Sequence, residues 1–248
     1  MNRTLVIIPT YDERENIASI VQRALDAAAV DVLVVDDGSP DGTAEIVDRM
    51  AHDDARIALL RRSGKQGLGA AYIAGFAYAK ERGYALAVEM DADGSHPPER
   101  LGAMIAQFDG EPPRLGCVVG SRWVKGGSVV NWPAHRRFIS RAGSIYARVM
   151  LGVPVHDVTA GFRVYPTSVL AGLALDSIES RGYCFQIDMT RRVHAAGLEI
   201  VEVPIEFRER ELGHSKMSSG IVVEAMWRVT VWGFQRVGRS LRRVVRRG

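Results

Sequence analysis

Short apolar runs alternate with stretches of helical apolar spacing through the first half of the chain, and this alternation restricts the fold more than any other feature. Each continuous apolar run is typical of a strand buried on both faces of a sheet. Strands that alternate with helices require right-handed crossovers, so the sequence predicts an α/β fold with a mainly parallel sheet and helices on both faces. The predicted strands are 4–8, 32–35, 56–60, 85–90 and 115–120, and the predicted helices are 15–29, 43–51, 69–83 and 98–108.

Charged side chains follow several of these strands directly. Asp37 follows the second predicted strand, and Arg122 follows the fifth. Asp91 and Asp93 follow the fourth, separated only by Ala92. In open α/β sheets, ligands bind beyond the carboxyl ends of the strands. These side chains are therefore expected together at one edge of the sheet.

The Asp91-Ala92-Asp93 segment places two carboxylates one residue apart at the end of a buried strand. Carboxylates so close repel each other unless a cation lies between them. Hard divalent ions such as Mg²⁺ or Mn²⁺ are held by one or two carboxylates, while water and substrate phosphates fill the remaining positions. The pair therefore predicts a metal-bound diphosphate, although two acids in an isolated loop are more often a solvated turn.

The chain has 248 residues, of which 47% are hydrophobic, and this is enough for one substantial core. We expect one catalytic domain over residues 1–219. No run of about 18 apolar residues is present and no signal peptide precedes Thr4, which predicts a cytoplasmic protein. Cys117 and Cys184 are expected to be reduced core residues, and their number excludes a metal cluster built on cysteine.

Other nucleotide-binding motifs fit the sequence poorly. Residues 67–72 resemble a dinucleotide loop, but Tyr72 stands where the third glycine belongs. Gly64-Lys65 lacks the upstream glycine and the Ser/Thr of a P-loop. A nucleotidyltransferase usually has a glycine- and lysine-rich loop after its first strand, where this chain has Pro9-Thr10-Tyr11. His96 lies between a serine and a proline and is predicted to be a turn residue.

A series of motifs runs in order through most of the chain. They are the segments 9–16, 35–43, 67–72, 90–98, 120–122, 157–163, 185–189 and 207–210, with Ser215-Lys216 closing the series. Together they resemble the polyprenol phosphate mannose synthases, which are inverting family 2 glycosyltransferases of the Rossmann-like GT-A fold. The resemblance implies transfer of mannose from GDP-mannose to a polyprenyl phosphate. A polyprenyl phosphate glucosyltransferase or related enzyme that uses a UDP-sugar stays open as the alternative.

The resemblance also implies roles for individual residues. The donor nucleotide would contact Pro9, Tyr11, Glu13, Val35, Asp37, Asp91, Ala92, Asp93, Arg210 and Lys216. Mg²⁺ or Mn²⁺ would bind Asp91 and Asp93, with Ser95 in a third position. The acceptor phosphate would bind Arg122, Arg136 and Ser140. The residues closest to the chemistry would be Asp91, Asp93, Arg122, Arg210 and Lys216.

Several residues have a plainer interpretation. Tyr11 and Glu13 also fit a capped helix start, and Arg137 and Arg141 fit the basic surface of a helix. Asp188, near the start of an apparent helix, is expected to have a positioning role at most. A general base is not required, because a phosphate monoester with a second pKa of about 6 is already anionic at neutral pH.

The C-terminal segment 220–248 is predicted to be an amphipathic basic helix. Residues 225–248 contain seven arginines and no acidic residue. At about 100° per residue, the arginines fall opposite most of the apolar side chains, but Val229 and Trp232 fall among them. We expect this helix to hold the protein peripherally on the anionic inner face of the cell membrane, without nucleic acid as a partner. A tail docked on its own core or on a partner is the alternative.

Overall fold

A computed structural model describes residues 3–110, 112–178, 183–209 and 224–236, and it has the predicted α/β architecture. Helices separate the first five strands, as the apolar runs indicated. The strands are β1 (Thr4–Thr10), β2 (Asp31–Asp36), β3 (Ile57–Arg61), β4 (Leu86–Glu89), β5 (Leu115–Ser121), β6 (Ser128–Val130), β7 (Arg163–Pro166), β8 (Glu199–Pro204) and β9 (Glu206–Arg208).

Seven of these strands form one sheet in the order β3-β2-β1-β4-β7-β5-β8. β7 is antiparallel to both of its neighbours, and the other pairings are parallel. The prediction of a mainly parallel sheet is therefore confirmed, although the sequence analysis did not identify β7. β6 and β9 pair separately as a small parallel ribbon.

The helices cover both faces of the sheet. Their bounds are α1 (Ile17–Ala27), α2 (Thr43–Asp53), α3 (Leu68–Glu81), α4 (Leu101–Ile105), α5 (Ala134–Leu151), α6 (Thr167–Ala171), α7 (Tyr183–Ala195) and α8 (residues 224–236). α1, α2 and α4 pack on one face, and α3, α6 and α7 pack on the other. The helix predicted at 98–108 is interrupted, because 3-10 turns precede and follow α4.

Alternate residues of β1 supply the two core layers. Val6 and Ile8 face the layer under α1, whereas Leu5 and Ile7 face the layer under α3. A Cβ atom at Gly75 of α3 would lie only 2.5 Å from Cγ2 of Ile7. Glycine at this position therefore lets α3 approach the sheet closely.

A third apolar cluster joins α5, α7 and α8. Its buried members include Ala147, Leu151, Ile187, Ala225 and Val229. The Tyr146 and Thr230 hydroxyl groups add a hydrogen bond of 2.6 Å between α5 and α8. Residues 224–236, the described part of the predicted C-terminal helix, thus pack on α5 and α7 of the same chain.

Val229 and Trp232 are the residues that broke the predicted amphipathic pattern, and both face the protein. Val229 is buried, and the Trp232 ring lies 4.8 Å from the Arg191 guanidinium of α7. The remaining residues of the predicted 220–248 helix, together with the predicted domain boundary at 219, lie outside the described residues. Among the residues that are described, none of the helices is both long and apolar enough to cross a bilayer.

Candidate active site

The carboxyl ends of β1, β2 and β4 lie side by side, as the sequence predicted. Pro9 pairs with Val35, and Ile7 pairs with Glu89. β5 runs in the same direction as these strands, because β7 is antiparallel both to β4 and to β5. Residues that follow these strands therefore gather at one edge of the sheet, and they include Asp37, Asp91, Asp93 and Arg122.

Asp36 and Asp37 are neighbours at the end of β2, but they have different roles. The Asp36 carboxylate accepts hydrogen bonds from the Thr10 hydroxyl at 2.9 Å and from the Ser39 backbone N–H at 3.0 Å. These bonds join the ends of β1 and β2 and fix the turn that follows. Asp36 is thus a structural residue of this edge.

Asp37 instead contacts the loop after β3. Its Oδ1 atom lies 2.8 Å from Nη1 of Arg62, and both side chains are nearly buried. In the same loop, the Lys65 ammonium lies 4.5 Å from the centroid of the Tyr11 ring. In the sequence, Lys65 belongs only to an incomplete P-loop pattern, and no motif points to Arg62. An aromatic ring, a carboxylate and two cations therefore lie together at the predicted donor-binding end.

The other residues predicted to contact the nucleotide differ in accessibility. Val35 is fully buried, and its contact with a nucleotide stays a prediction. The Glu13 carbonyl accepts the N–H groups of Asn16 and Ile17, and its side chain accepts a bond from Asn16 Nδ2 at 3.0 Å. Glu13 thus lies in the turn that leads into α1, although the N-cap residue Asn16 makes no side-chain capping bond. A donor contact by Tyr11 or Glu13 stays a prediction.

Asp91 and Asp93 lie on the loop directly after β4, and both are partly exposed. The Asp93 carboxylate accepts the backbone N–H of Ser95 at 3.1 Å, and the Ser95 side chain is buried. His96 lies in this loop, as predicted, but it is buried and stacks on Phe162 with ring centroids 5.3 Å apart. Its Nδ1 atom accepts the Asp91 backbone N–H at 3.0 Å, so His96 helps to hold the loop.

The chemistry of this loop fits a hard divalent ion that is shared with a ligand. Within the described ranges, no group of three or more His, Cys, Asp or Glu side chains is placed to hold a metal ion. Mg²⁺ and Mn²⁺ do not need such a group, since one or two carboxylates suffice when substrate phosphates supply further oxygens. Ligation by Asp91 and Asp93, and the third position assigned to Ser95, stay predictions.

Two buried ionisable residues lie beneath the loop of residues 91–96, which is called the metal loop after its predicted ion. Glu89 and Arg163 are cross-strand neighbours on β4 and β7, and both are fully buried. Arg163 donates hydrogen bonds to the carbonyl oxygens of Val158 at 2.8 Å and Ala160 at 2.7 Å. Burial raises the pKa of Glu89 to about 8, although the Arg163 charge opposes this shift. Through its hydrogen bonds to Val158 and Ala160, Arg163 fixes the segment that precedes β7.

The three residues assigned to the acceptor phosphate line one cavity of about 150 Å³. Arg122 follows β5, whereas Arg136 and Ser140 lie one turn apart near the start of α5. The rest of the wall is mostly apolar and includes Trp132, Ile139, Tyr146, Ala147, Ile187, Ala225, Met226 and Val229. The fold thus brings the three predicted residues together beside apolar side chains of α5, α7 and α8.

Both arginines of this cavity form ion pairs. Arg122 pairs with Asp157 through Nε and Nη2, at 2.7 Å and 2.6 Å, and also donates to the Thr159 hydroxyl at 2.9 Å. Arg136 pairs with Glu209. A guanidinium carries five N–H donors, which is more than one carboxylate can accept. The ion pairs orient the arginines, and phosphate binding by them stays a prediction.

Phe207 of β9 lies between the cavity and the metal loop. Its ring centroid is 5.3 Å from the Arg122 guanidinium and 5.7 Å from the His96 ring. Because His96 holds the backbone of Asp91, the arginine cavity and the predicted metal site are close neighbours. In the sequence, Phe207 is marked only by its place in the motif 207–210.

Residues 5–173 match the model of Glycosyl transferase family 2. The chain belongs to this family. It is 51% identical over 235 residues to the polyprenol monophosphomannose synthase of Mycolicibacterium smegmatis, and the alignment covers 94% of this chain and 88% of that protein. It is 52% identical over 241 residues to the undecaprenyl-phosphate mannosyltransferase of Micrococcus luteus, and the alignment covers 97% of this chain and 98% of that protein. The resemblance to the polyprenol phosphate mannose synthases is therefore confirmed.

Solved structures of other glycosyltransferases share the fold. A mannosyltransferase from Pyrobaculum calidifontis, in complex with GDP-Man and Mn²⁺, is 17% identical and superimposes with a TM-score of 0.62 over 96% of this chain and 64% of that chain. Glucosyl-3-phosphoglycerate synthase of M. tuberculosis is 18% identical, with a TM-score of 0.65 over 96% of this chain and 81% of that chain. At these identities the likeness shows the fold, and the predicted GT-A architecture is confirmed.

The remaining predicted residues of this family 2 glycosyltransferase divide into two groups. Asp188 is buried within α7, where its carboxylate pairs with both Arg191 and Arg192. Two ion pairs on one carboxylate are typical of a structural residue and agree with the limited role expected for it. Arg210 and Lys216 lie outside the described residues, so their predicted contact with the donor diphosphate stays a prediction.

Proposed function

We propose that this glycosyltransferase transfers mannose from GDP-mannose to the phosphate of a polyprenyl phosphate, with inversion, to give polyprenyl β-D-mannosyl phosphate. The observation that carries the proposal is the cavity beside the metal loop, in which Arg122 and Arg136 share a largely apolar wall. A polyprenyl phosphate has the complementary chemistry, because it joins an anionic head to a long apolar chain. The names of the two relatives above support the same class of acceptor.

The donor is assigned to the neighbouring strand ends. Tyr11 and Asp37 would contact the guanosine, and Asp91 and Asp93 would share Mg²⁺ or Mn²⁺ with the diphosphate. Such an ion, when bound, stabilises the negative charge of the departing nucleoside diphosphate. The other residues assigned to the donor are Pro9, Glu13, Val35, Ala92, Arg210 and Lys216. The GDP-Man and Mn²⁺ in the P. calidifontis structure support this pairing of donor and ion.

The acceptor supplies its own nucleophile in this proposal. A phosphate monoester is anionic at neutral pH, so its oxygen can attack the anomeric carbon without a general base. The guanidinium groups of Arg122 and Arg136 and the hydroxyl of Ser140 would hold that phosphate and orient the attacking oxygen. Asp188 would not be needed as a base, which is consistent with its two ion pairs.

We also propose that the enzyme works at the cytoplasmic face of the cell membrane as a peripheral protein. Among the described residues, the exposed large apolar side chains all belong to α5 and α8, and they are Phe138, Ile139, Ile145, Val149, Met226, Trp227 and Phe234. Both helices also line the cavity. Exposed apolar and basic side chains on adjacent helices suit an anionic membrane interface, where the chain of a lipid acceptor resides.

A UDP-sugar is the second candidate donor, and one observation favours it. The fold is also shared with glucosyl-3-phosphoglycerate synthase in complex with Mn²⁺, UDP-Glc and glycerol 3-phosphate, at 18% identity and a TM-score of 0.63. The deciding experiment incubates the purified protein with radiolabelled GDP-mannose or UDP-glucose, each with a short polyprenyl phosphate. We expect a labelled lipid from GDP-mannose. A labelled lipid from UDP-glucose alone would contradict the proposal.

A further inference from the structure

Tyr72 reaches the predicted metal site from the core of the protein. It lies on α3 and is fully buried, and its hydroxyl lies 3.0 Å from Oδ1 of Asp91. Position 72 is where a dinucleotide loop would carry its third glycine. This chain therefore has a long hydrogen-bonding side chain at a position where that motif has none.

The Tyr72 ring is fixed by its aromatic neighbours. It stacks on Phe76 at 6.3 Å and on Phe185 at 6.1 Å between ring centroids. A Cβ atom at Gly69 would lie 2.7 Å from Cδ2 of Phe185, so glycine at this position leaves room for the stack. Burial and the Asp91 charge raise the pKa of Tyr72 well above its ordinary value. The phenol O–H donates its hydrogen bond to the Asp91 carboxylate.

His96 holds the same aspartate from the loop side. Because its Nδ1 atom accepts the Asp91 backbone N–H at 3.0 Å, a neutral His96 ring carries its proton on Nε2. That atom lies 3.8 Å from Oδ2 of Asp91. The ring is kept in place by stacking on Phe162 and by edge contact with Phe207.

We propose that Tyr72 and His96 are positioning residues for Asp91, which hold its carboxylate in the orientation that binds the divalent ion. The inference rests on the proposed function, in which Asp91 is a metal ligand. Groups that orient a ligating side chain typically change metal affinity or activity by about 10–100-fold when they are removed. Asp93 is held differently, since its carboxylate accepts a backbone N–H of its own loop. Tyr72 thus links the metal loop to the core.

The test compares substitutions at two tyrosines whose hydroxyl groups each donate a hydrogen bond to an aspartate. Tyr72→Phe keeps the ring and its stacking but removes the hydrogen bond to Asp91. Tyr84→Phe is the matched control, because the Tyr84 hydroxyl donates to Asp31 at 2.7 Å, and Asp31 lies at the opposite end of β2. Mn²⁺ binding in the presence of GDP is measured by electron paramagnetic resonance. We expect about 10-fold weaker Mn²⁺ binding for Tyr72→Phe, unchanged binding for Tyr84→Phe, and recovery of kcat for Tyr72→Phe at high Mn²⁺.

Two substitutions at His96 separate hydrogen bonding from packing. His96→Asn keeps an acceptor for the Asp91 N–H, whereas His96→Phe keeps only an aromatic ring. We expect His96→Asn to bind Mn²⁺ more tightly than His96→Phe, and the reverse order would overturn the role assigned to His96.

The outcomes also separate this inference from the proposed function. If the wild-type protein with GDP does not bind Mn²⁺, the metal assignment fails and the inference fails with it. If the wild type binds Mn²⁺ and Tyr72→Phe binds it equally well, only the role of Tyr72 is wrong. If circular dichroism shows that Tyr72→Phe does not fold, the two His96 variants decide the question. Equal Mn²⁺ affinities of His96→Phe and wild type would then overturn the inference.

Discussion

The Arg122 guanidinium and the Asp157 carboxylate form a buried bidentate ion pair, with Nε–Oδ2 at 2.7 Å and Nη2–Oδ1 at 2.6 Å. Asp157 also accepts the Arg122 backbone N–H at 2.9 Å, and its own backbone N–H donates to Glu202 at 2.9 Å. One carboxylate therefore joins the end of β5 to the segment before β7. It also fixes the direction of the arginine in the cavity wall.

Asp157→Asn is expected to destabilise the protein by about 3–5 kcal/mol, because removing one partner of a buried ion pair leaves the other charge uncompensated. Urea unfolding followed by circular dichroism measures the loss. Asp54→Asn is the control, since Asp54 pairs with Arg56 on the surface and its removal is expected to leave the midpoint nearly unchanged. Equal midpoints for Asp157→Asn and wild type would show that the pair does not support the fold.

Arg136→Ala is expected to raise the KM for a polyprenyl phosphate by about 10-fold or more, since a hydrogen bond to a charged group contributes about 1.5–3 kcal/mol. Arg137→Ala is the neighbouring control, because Arg137 is exposed and does not line the cavity. Initial-rate kinetics with each substrate varied in turn measure the effect. If GDP-mannose affinity falls while the acceptor KM stays constant, the donor and acceptor sites have been exchanged.

Asp93→Asn is expected to remove nearly all turnover, because it removes one of the two negative charges that the protein offers to the ion beside an anionic diphosphate. Excess EDTA should abolish the wild-type activity, and added Mg²⁺ or Mn²⁺ should restore it. Asp109→Asn, a change at an exposed aspartate outside the site, is the control. Full wild-type activity in excess EDTA would refute the metal assignment.

Glu89 is expected to make stability depend on pH. Its pKa is raised from an ordinary 4.5 to about 8 in the folded protein, so between these values the folded state holds a proton that the unfolded state lacks. Stability should therefore fall as the pH rises from 4.5 towards 8, by up to about 1.4 kcal/mol per pH unit, and should change no further above 8 through this group.

Glu89→Gln removes this titration and should flatten the profile. Urea unfolding of both proteins from pH 6 to pH 9 checks the expectation, with the gain in stability of the variant growing towards high pH. Parallel profiles for the two proteins would mean that the Glu89 carboxyl keeps an ordinary pKa.

The sequence predicted the parallel strands because a strand buried on both faces needs a continuous apolar run, as in Val32–Val35. It did not predict β7, because Arg163-Val164-Tyr165-Pro166 begins with an arginine and ends with a proline. The arginine is tolerated there because carbonyl oxygens and the Thr190 hydroxyl accept its N–H groups inside the core. Only the folded chain supplies those acceptors.

The candidate site was predicted where it depends on strand ends and missed where it depends on long-range contacts. Asp91, Asp93 and Arg122 follow strands directly, so their common edge follows from the direction of the strands. Asp157 belonged to a motif, but its pairing with Arg122 depends on β7 lying beside β5. Tyr72 meets Asp91 only because α3 packs against the sheet.

Trp227→Ser combined with Phe234→Ser is expected to weaken binding to anionic liposomes by about 10-fold or more, since burying one large apolar side chain contributes about 1.5–3 kcal/mol. Both residues are more than two-thirds exposed on α8. Truncation from residue 225 would be a less specific test, because it also removes the buried Ala225 and Val229.

The double change should also slow transfer to long-chain acceptors while leaving GDP-mannose binding intact. Arg49→Ser combined with His52→Ser, on the exposed side of α2, controls for a general change of surface. Co-sedimentation with anionic and neutral liposomes at low and high salt separates apolar insertion from charge attraction, because salt screens only the latter. If the α8 variant sediments with anionic liposomes as well as wild type does at both salt concentrations, the exposed apolar residues of α8 do not hold the enzyme on the membrane.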